Sequence, residues 1–412
     1  MERPHIPAAP GLAWRPRKNS WAAVWLARSK GFKPSTHRIG VFTAPLTDDQ
    51  IIRVRGECLR LQEEMYAFVE GKPKGFAGTV LALIAAYQTD PDSPYHTARY
   101  RSRRELDNWA KRINTKNGTD KLADLGARDF KRWYEDIRWP DGKDGPERVA
   151  SAHHMITAVR MMISFGAAFE IEKAPRDKIS ECKRLRDILS ELNFEKGKTR
   201  TEVVSIRQSE DIATHAEANG LASVALAQEL MRRLGLRQRD VIGEWVPVKE
   251  PGVSTVLHHG MKWLRGVRWE EISASRILTH AMSKSRKGKV LEFDLKGYPE
   301  IIEKLDRIPV AERTGPVVVC ERTGRPWKQN HFRMCWRDMA NLADVPKGVQ
   351  NRDSRAGLIT EVIDATNGNI EAARKMAGHS DGRTTAGYSR DHLATNRKTA
   401  AIVTEFRTKN GT

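Results

Sequence analysis

Residues 376–390 read MAGHSDGRTTAGYSR and follow a stretch with helical spacing, NIEAARKMA, at 369–377. Asn369 is predicted to cap that helix and Gly378 to end it. Tyr388 comes nine residues after His379. Taken singly, a tyrosine near a carboxyl end is most often a half-buried packing residue, and a histidine after a helix is a capping or surface residue. The segment therefore has to be interpreted together with the rest of the chain.

Three basic segments upstream carry further candidate residues. RRLGLRQRDVIG spans 232–243, MSKSRKGKVLEF spans 282–293 and NRDSRAGLIT spans 351–360. Singly, the arginines of the first segment predict a solvated face, and the basic turn of the second predicts contacts with a nucleic-acid backbone. Arg355 lies near the N-terminus of a predicted helix, where a cation is unfavourable beside the helix dipole unless an anion binds there.

Taken in order, the four segments resemble the catalytic domain of the tyrosine recombinase (phage integrase) family. That family ends in a pattern close to LGHSSIKTTQRY, and Gly378-His379-Ser380, Thr384-Thr385 and Tyr388 fall at the same offsets. Six such identities, at roughly 5% each, are not expected by chance over several hundred positions. The resemblance implies the following residues: Tyr388 as nucleophile, Arg237, Lys284, Arg355 and His379 as catalytic groups, Lys287 as the rival of Lys284, and Asp240 as an orienting carboxylate.

One position departs from the family pattern. The residue three before Arg355 is usually histidine in this family, and here it is Arg352. Residues three apart at a helix start project in similar directions, so Arg352 is expected to donate to a phosphate oxygen alongside Arg355. A guanidinium stays protonated near neutral pH, so Arg352 cannot act as a general acid or base.

These residue types suit phosphodiester cleavage by a side-chain nucleophile. The transition state carries extra negative charge on the phosphate, which arginine stabilises through its planar fork of donors. A phenol has a pKa near 10, so cationic neighbours favour the attacking phenolate of Tyr388. Lys284, on the turn between two predicted strands, would protonate the leaving 5′-hydroxyl, and His379 would donate to the phosphate or accept the tyrosine proton.

Composition agrees with a polyanionic partner. The chain of 412 residues has 71 Lys and Arg against 52 Asp and Glu, a net charge of +19, which favours nucleic acid. No apolar run approaches the roughly 18 to 20 residues of a membrane span, and the first residues lack the apolar core of a secretory signal. Four widely spaced cysteines and no CxxC pair predict a reducing, cytoplasmic location. We expect no metal and no cofactor, because neither a phosphate-binding GxxxxGK[ST] motif nor a two-metal carboxylate set is present.

The pattern predicts a mainly α-helical protein with small β-sheets, an α+β class in several domains. We expect an accessory module at 1–75, a helical core-binding domain at 76–192, a linker at 193–204 and the catalytic domain at 205–412. Within them, WAAVWLAR and HRIGVF are predicted strands, and GKPKG at 71–75 is a predicted linker. Helices are predicted at 48–69, 76–88, 101–113, 127–137, 148–169, 208–219, 221–235, 298–305, 329–342 and 351–366, and strands at 275–282 and 290–295. The stretch between 236 and 274 is expected to be irregular.

Two basic surfaces are predicted to contact DNA. The first 40 residues hold eight basic side chains against one acid, interleaved with tryptophans that more often form the core of a small sheet. The predicted contact residues are Arg15, Arg17 and Lys18 in the first module and Arg286, Lys287 and Lys289 in the basic turn.

The resemblance implies a site-specific recombinase that acts on double-stranded DNA attachment sites as a homotetramer, through a Holliday junction, to integrate or excise a mobile element. An accessory excision or bending factor stays open, as does whether the tail after Tyr388 packs on its own domain or on a neighbouring protomer. Three alternatives remain: a type IB topoisomerase, a DNA-binding regulator without catalysis, and an integrase homologue that binds DNA but does not cleave it. Arg352 is the sequence feature that favours the last of these.

Overall fold

The computed structural model describes residues 3–7, 9–69, 76–172, 179–198, 200–284 and 288–378, and the single residues 385, 400, 403, 404 and 408. The chain divides into two compact units, 1–198 and 199–412. This division falls inside the predicted linker 193–204, whereas the predicted linker at 71–75 lies outside the described residues. The expected class is confirmed: the protein is mainly helical, with small sheets.

The first unit begins with a three-stranded antiparallel sheet. Its strands are β1 (Leu12–Arg17), β2 (Ser20–Leu26) and β3 (Thr36–Phe42), with β2 in the centre. Pro16 is tolerated in β1 because an edge strand needs hydrogen bonds on one side only. Helix α1 (Asp48–Val69) contributes Val54, Cys58 and Leu61 to the same core as Trp25. The tryptophans therefore fill the core of the sheet, and the basic side chains between them point outward.

Within its described residues, six further α-helices complete the first unit. They are α2 (Val80–Thr89), α3 (Pro94–Thr97), α4 (Tyr100–Asn117), α5 (Ala127–Arg138), α6 (Val149–Ala168) and α7 (Glu181–Glu191). The helix predicted at 148–169 is α6, and Ala152, Met155, Ile156, Val159 and Ile163 on its inner face are all buried. The helix predicted from 76 begins only at Val80, because the Thr79 hydroxyl caps it by accepting from the Ala82 N–H.

The second unit surrounds one large apolar core with helices and three small sheets. Its helices are α8 (Ile206–Ala218), α9 (Ala222–Arg233), α10 (Gln238–Ile242), α11 (Pro299–Asp306), α12 (Gln329–Leu342), α13 (Asp353–Ala365) and α14 (Ile370–Ala377). Its strands are β4 (Glu244–Pro247), β5 (Leu257–His258), β6 (Met261–Leu264), β7 (Ile277–Ala281), β8 (Val290–Asp294), β9 (Val319–Cys320) and β10 (Arg325–Pro326). Helix α9 is nearly all buried and packs against α8, α11 and α13.

The expectation of an irregular stretch between 236 and 274 was wrong. Strands β4, β6 and β5 form an antiparallel sheet there, in that spatial order. Trp263 of β6 is buried, and its indole N–H donates to the Ile242 carbonyl at 2.8 Å. All of the glycines and Pro251 lie outside the strands, so the sequence shows the turns more clearly than the short strands that they join.

The segment predicted as a linker, 193–204, packs on the units instead of hanging between them. Its first half contacts the first unit, and its second half contacts the second unit. The Tyr134 hydroxyl donates to the Glu195 carbonyl at 2.8 Å within the first unit. In the second unit, Val204 is buried and its N–H donates to the Asp353 carbonyl at 3.2 Å. The guanidinium of Arg200 is 2.6 Å from the Asp353 carboxylate, an ion pair that raises the pKa of Arg200.

None of the helices within the described ranges is both long and apolar enough to cross a membrane.

Candidate active site

Arg237 lies at the N-terminus of α10, directly before its first helical residue. Its backbone N–H donates to Oδ2 of Asp240 at 3.2 Å, and its guanidinium Nη1 lies 3.7 Å from the same oxygen. Asp240 is completely buried, whereas 29% of the Arg237 side chain is exposed. The carboxylate thus contacts both the backbone and the side chain of Arg237 and leaves the guanidinium accessible.

Asp240 also holds the turn that carries Lys284. Its Oδ1 accepts a hydrogen bond from the backbone N–H of Ser283 at 2.7 Å, and Ser283 is buried immediately before the exposed Lys284. One carboxylate therefore connects two candidate catalytic residues that are 47 positions apart in the chain. The rival, Lys287, lies outside the described residues, as does Arg286.

Arg355 is buried in the first turn of α13. Its two terminal nitrogens donate to the carbonyl oxygens of Gly235 and Ala377. Gly235 comes two residues before Arg237, and Ala377 comes two residues before His379. The guanidinium therefore draws together the segments of both of these candidate residues. The carbonyl oxygens also supply the negative partners that a cation near a helix N-terminus otherwise lacks.

The two candidate arginines of this segment differ in their surroundings. Arg352, at the N-cap of α13, is exposed, whereas Arg355 is buried. Between α10 and the start of α13 the contact is made by Asn351, which is buried and donates to Oε1 of Gln238 at 3.0 Å. The sequence analysis did not identify Asn351, because a single polar residue before a helix gives no sign of a partner 113 positions away.

His379 and Tyr388 lie outside the described residues, but the residues that lead to His379 are described. Gly378 ends α14 in the left-handed conformation, with φ +64°, as predicted. A Cβ at this position would lie 2.8 Å from Cδ1 of Leu291 on β8, so the end of α14 packs closely against the strand that follows the basic turn. Thr385, three residues before Tyr388, is completely buried.

A buried polar network, which the sequence analysis did not identify, lies beneath Arg355. The side chain of Gln228 donates to the Ser209 hydroxyl at 2.8 Å, accepts from the Trp336 indole at 2.7 Å and contacts Ser354 at 3.2 Å. All four side chains are buried, so their hydrogen bonds fix the relative positions of α8, α9, α12 and α13. Nearby, burial raises the pKa of Glu229 on α9, an effect that its ion pair with Arg233 opposes.

The predicted DNA-contact residues differ in exposure. Arg15, Arg17 and Lys18 are all exposed, at the end of β1 and in its turn to β2. Lys289 is half-buried, and its carbonyl oxygen accepts from the Met282 N–H at 2.9 Å, which closes the base of the turn. In the part of the chain that the structure describes, no group of three or more His, Cys, Asp or Glu side chains is arranged to bind a metal ion.

No protein-family model and no curated protein matches the sequence. Solved structures do match the fold. A lambda integrase dimer bound to a COC′ core site shares 14% identity over 95% of this chain and 97% of its own, with a TM-score of 0.55. A lambda integrase tetramer bound to a Holliday junction shares 12% identity over 94% and 97%, with a TM-score of 0.56. The Tn1549 transposon integrase in complex with transposon right end DNA shares 10% over 79% and 99%, also at 0.56.

The expected resemblance is thus confirmed at the level of the fold, over nearly the whole length of both lambda integrase chains. The second unit supplies the small sheets and buried helices that carry the candidate arginines. The chain has the fold of the tyrosine recombinases.

Proposed function

We propose that the protein is a site-specific DNA recombinase that cleaves and rejoins DNA strands through a 3′-phosphotyrosyl bond to Tyr388. One observation carries this proposal. Arg355 contacts the segments that lead to Arg237 and His379, and Asp240 contacts both Arg237 and the residue before Lys284. Two side chains thus join four segments, each of which carries at least one candidate catalytic residue.

In this proposal Arg237 and Arg355 stabilise the charge that develops on the non-bridging phosphate oxygens. Tyr388 attacks phosphorus, a bond forms between its phenolic oxygen and the phosphate, and the bond to the 5′-oxygen of the next nucleotide breaks. Lys284 protonates that leaving oxygen, and its exposed position on a turn lets it reach a bound strand. The phosphotyrosyl bond conserves the energy of the phosphodiester, so another strand's 5′-hydroxyl can reverse the step without ATP.

The partners follow from the same chemistry. We propose that four copies of the chain assemble on two synapsed attachment sites, exchange strands pairwise through a Holliday junction, and integrate or excise a mobile element. An accessory excision or bending factor would set the direction. The proposal assigns the protein to the bacterial cytoplasm, together with the nucleoid.

The test begins by finding a site and then traps the intermediate. Duplexes that bind the Tyr388→Phe protein are enriched from a random library, and the selected sequence is made with a nick just downstream of the scissile phosphate. Cleavage then releases a short 5′-hydroxyl fragment that diffuses away, so the protein stays bound to the 5′-labelled strand. We expect a covalent adduct with the natural chain and none with Tyr388→Phe. Specific binding without any adduct would contradict cleavage and support the non-cleaving homologue.

Two of the alternatives give different results in the same system. A type IB topoisomerase relaxes supercoiled plasmids that lack the selected site as fast as plasmids that contain it. A recombinase instead joins two labelled duplexes only when both carry the site. A DNA-binding regulator forms no adduct and no recombinant product.

A further inference from the structure

His280 is a buried histidine that the proposed mechanism does not use. It lies on β7, four residues before Lys284, and only 2% of its side chain is exposed. Its Nδ1 is 2.9 Å from Oε2 of Glu271, and its Nε2 is 4.0 Å from Oδ1 of Asp240. Among the described residues, Nε2 has no hydrogen-bond partner within normal distance. A ring nitrogen without a partner at this depth is costly and calls for a physical reason.

The charged groups around the ring come from two elements. Glu271 ends a short 3-10 helix, and its Oε2 also accepts the backbone N–H of Arg268 at 2.9 Å. Asp240 belongs to α10, and the guanidinium of Arg237 lies near its other oxygen. The cross-strand neighbour on β8 is the apolar Leu291. Two carboxylates therefore face the two ring nitrogens.

The protonation state decides how many of these carboxylates the ring can bind. A neutral imidazole has one N–H, so it donates to one carboxylate and turns a lone pair toward the other. Only the imidazolium turns an N–H toward both carboxylates and brings a positive charge between two negative ones. Asp240 is also the group that holds Arg237 and the Ser283–Lys284 turn.

We propose that His280 is a positioning residue whose imidazolium form fixes the Asp240 carboxylate, and through it Arg237 and Lys284, in the arrangement that cleaves DNA. The inference rests on the proposed recombinase function. It makes cleavage, but not DNA binding, depend on a histidine that does not touch the substrate. Without a cationic N–H beside Asp240 at the position of Nε2, this carboxylate is held less firmly and the cleavage rate falls.

Two substitutions separate the roles of the two ring nitrogens. His280→Gln carries an amide near the position of Nε2, so it can donate to Asp240 at every pH. His280→Asn is shorter and carries its amide near the position of Nδ1, so it reaches only toward Glu271. Single-turnover cleavage of the nicked substrate is measured from pH 5.5 to 9 at saturating protein, with affinity and thermal unfolding measured alongside.

We expect His280→Asn to cleave about tenfold more slowly than the natural chain at the pH of fastest cleavage, the factor that one lost contact of about 1.4 kcal/mol would give. The Gln variant should keep the rate of the natural chain. Equal impairment of both variants, or natural rates in both, would overturn the proposal.

A second measurement covers the case in which a variant does not fold. The ¹⁵N resonances of histidine-labelled natural protein report whether both nitrogens of His280 are protonated. A ring that is neutral at the pH of fastest cleavage overturns the inference by itself. If the natural chain forms no adduct at any pH, the recombinase proposal fails instead. If it forms the adduct but substitution of His280 does not change the cleavage rate, only the positioning role is contradicted.

Discussion

Arg355 donates a hydrogen bond from its guanidinium to the carbonyl oxygen of Gly235, a residue 120 positions earlier in the chain. The other terminal nitrogen donates to Ala377 on the opposite side. The cation thus joins α13 to the connection between α9 and α10 and to the last residue of α14, in addition to the phosphate contact that we propose for it. Loss of this side chain should therefore affect the geometry of the neighbouring candidate residues as well as the charge of the site.

Arg355→Lys should lower the cleavage rate by at least about 10²-fold while leaving DNA affinity within a few-fold. Lysine keeps the charge, but its single ammonium cannot replace a planar fork that reaches two carbonyls on opposite sides. The measurement is adduct formation on the nicked substrate at saturating protein. Arg307→Lys is the control, because Arg307 is 52% exposed and its surface ion pairs contribute little. Natural cleavage rates in Arg355→Lys would show that positive charge alone is enough.

Asp240→Asn should lower the free energy of unfolding by about 2–4 kcal/mol and abolish most cleavage. Both carboxylate oxygens accept from backbone N–H groups, of Arg237 and of Ser283, so either orientation of the amide turns its NH₂ against a donor. Denaturant unfolding and the adduct assay measure the two effects. Asp306→Asn is the matched control, since that carboxylate is 44% exposed and forms surface ion pairs. Equal stability of the two variants would mean that the buried contacts of Asp240 contribute little.

Local signals were enough to predict much of the fold. Helices α1 and α12 begin and end where the sequence predicted, because a regular apolar spacing lies within each segment itself. The sheet of β4, β6 and β5 was not predicted, since its strands have two to four residues and depend on pairing rather than on pattern.

The candidate site shows the same limit. Motif order predicted which residues belong to it, but not how Arg355 is held. The sequence predicted that a cation at the start of α13 needs an anion beside it. In the structure the negative partners of Arg355 are two carbonyl oxygens, 120 and 22 residues away in the chain. The sequence predicted His280 only as a residue of a strand, because nothing in the sequence shows that its side chain lies beside Asp240.

Gly378→Ala should destabilise the protein more than Gly368→Ala does. Both glycines have positive φ, +64° and +88°, so an added Cβ strains the backbone at each, by about 1 kcal/mol. A Cβ at Gly378 also meets Leu291 at 2.8 Å, whereas one at Gly368 meets nothing within 4 Å. Adding Leu291→Ala should recover about 1 kcal/mol of the free energy of unfolding in the Gly378→Ala variant. It should recover nothing in the Gly368→Ala variant. Additive effects in both double mutants would show that α14 and β8 do not pack in this way.

Replacing the exposed basic residues at the end of β1 and in its turn to β2 should weaken DNA binding. It should also make the affinity less dependent on salt concentration. A triple substitution of Arg15, Arg17 and Lys18 by Gln removes up to three phosphate contacts, each of which contributes about 0.9 to the slope of log K against log salt. The slope should therefore fall by about 2 to 3, with little change in the unfolding curve, since all three side chains are exposed.

The control for that experiment carries the same change in charge at ion-paired positions. Arg132, Lys183 and Arg186 lie 2.8, 2.7 and 3.2 Å from the carboxylates of Asp129, Glu170 and Asp187, so their charges are already compensated within the protein. Substituting these three by Gln should leave the slope of log K against log salt within about one unit of that of the natural chain, because few phosphate contacts are lost. If both triple variants reduced the slope equally, the effect would reflect net charge, and the module at 1–75 would have no specific role in binding.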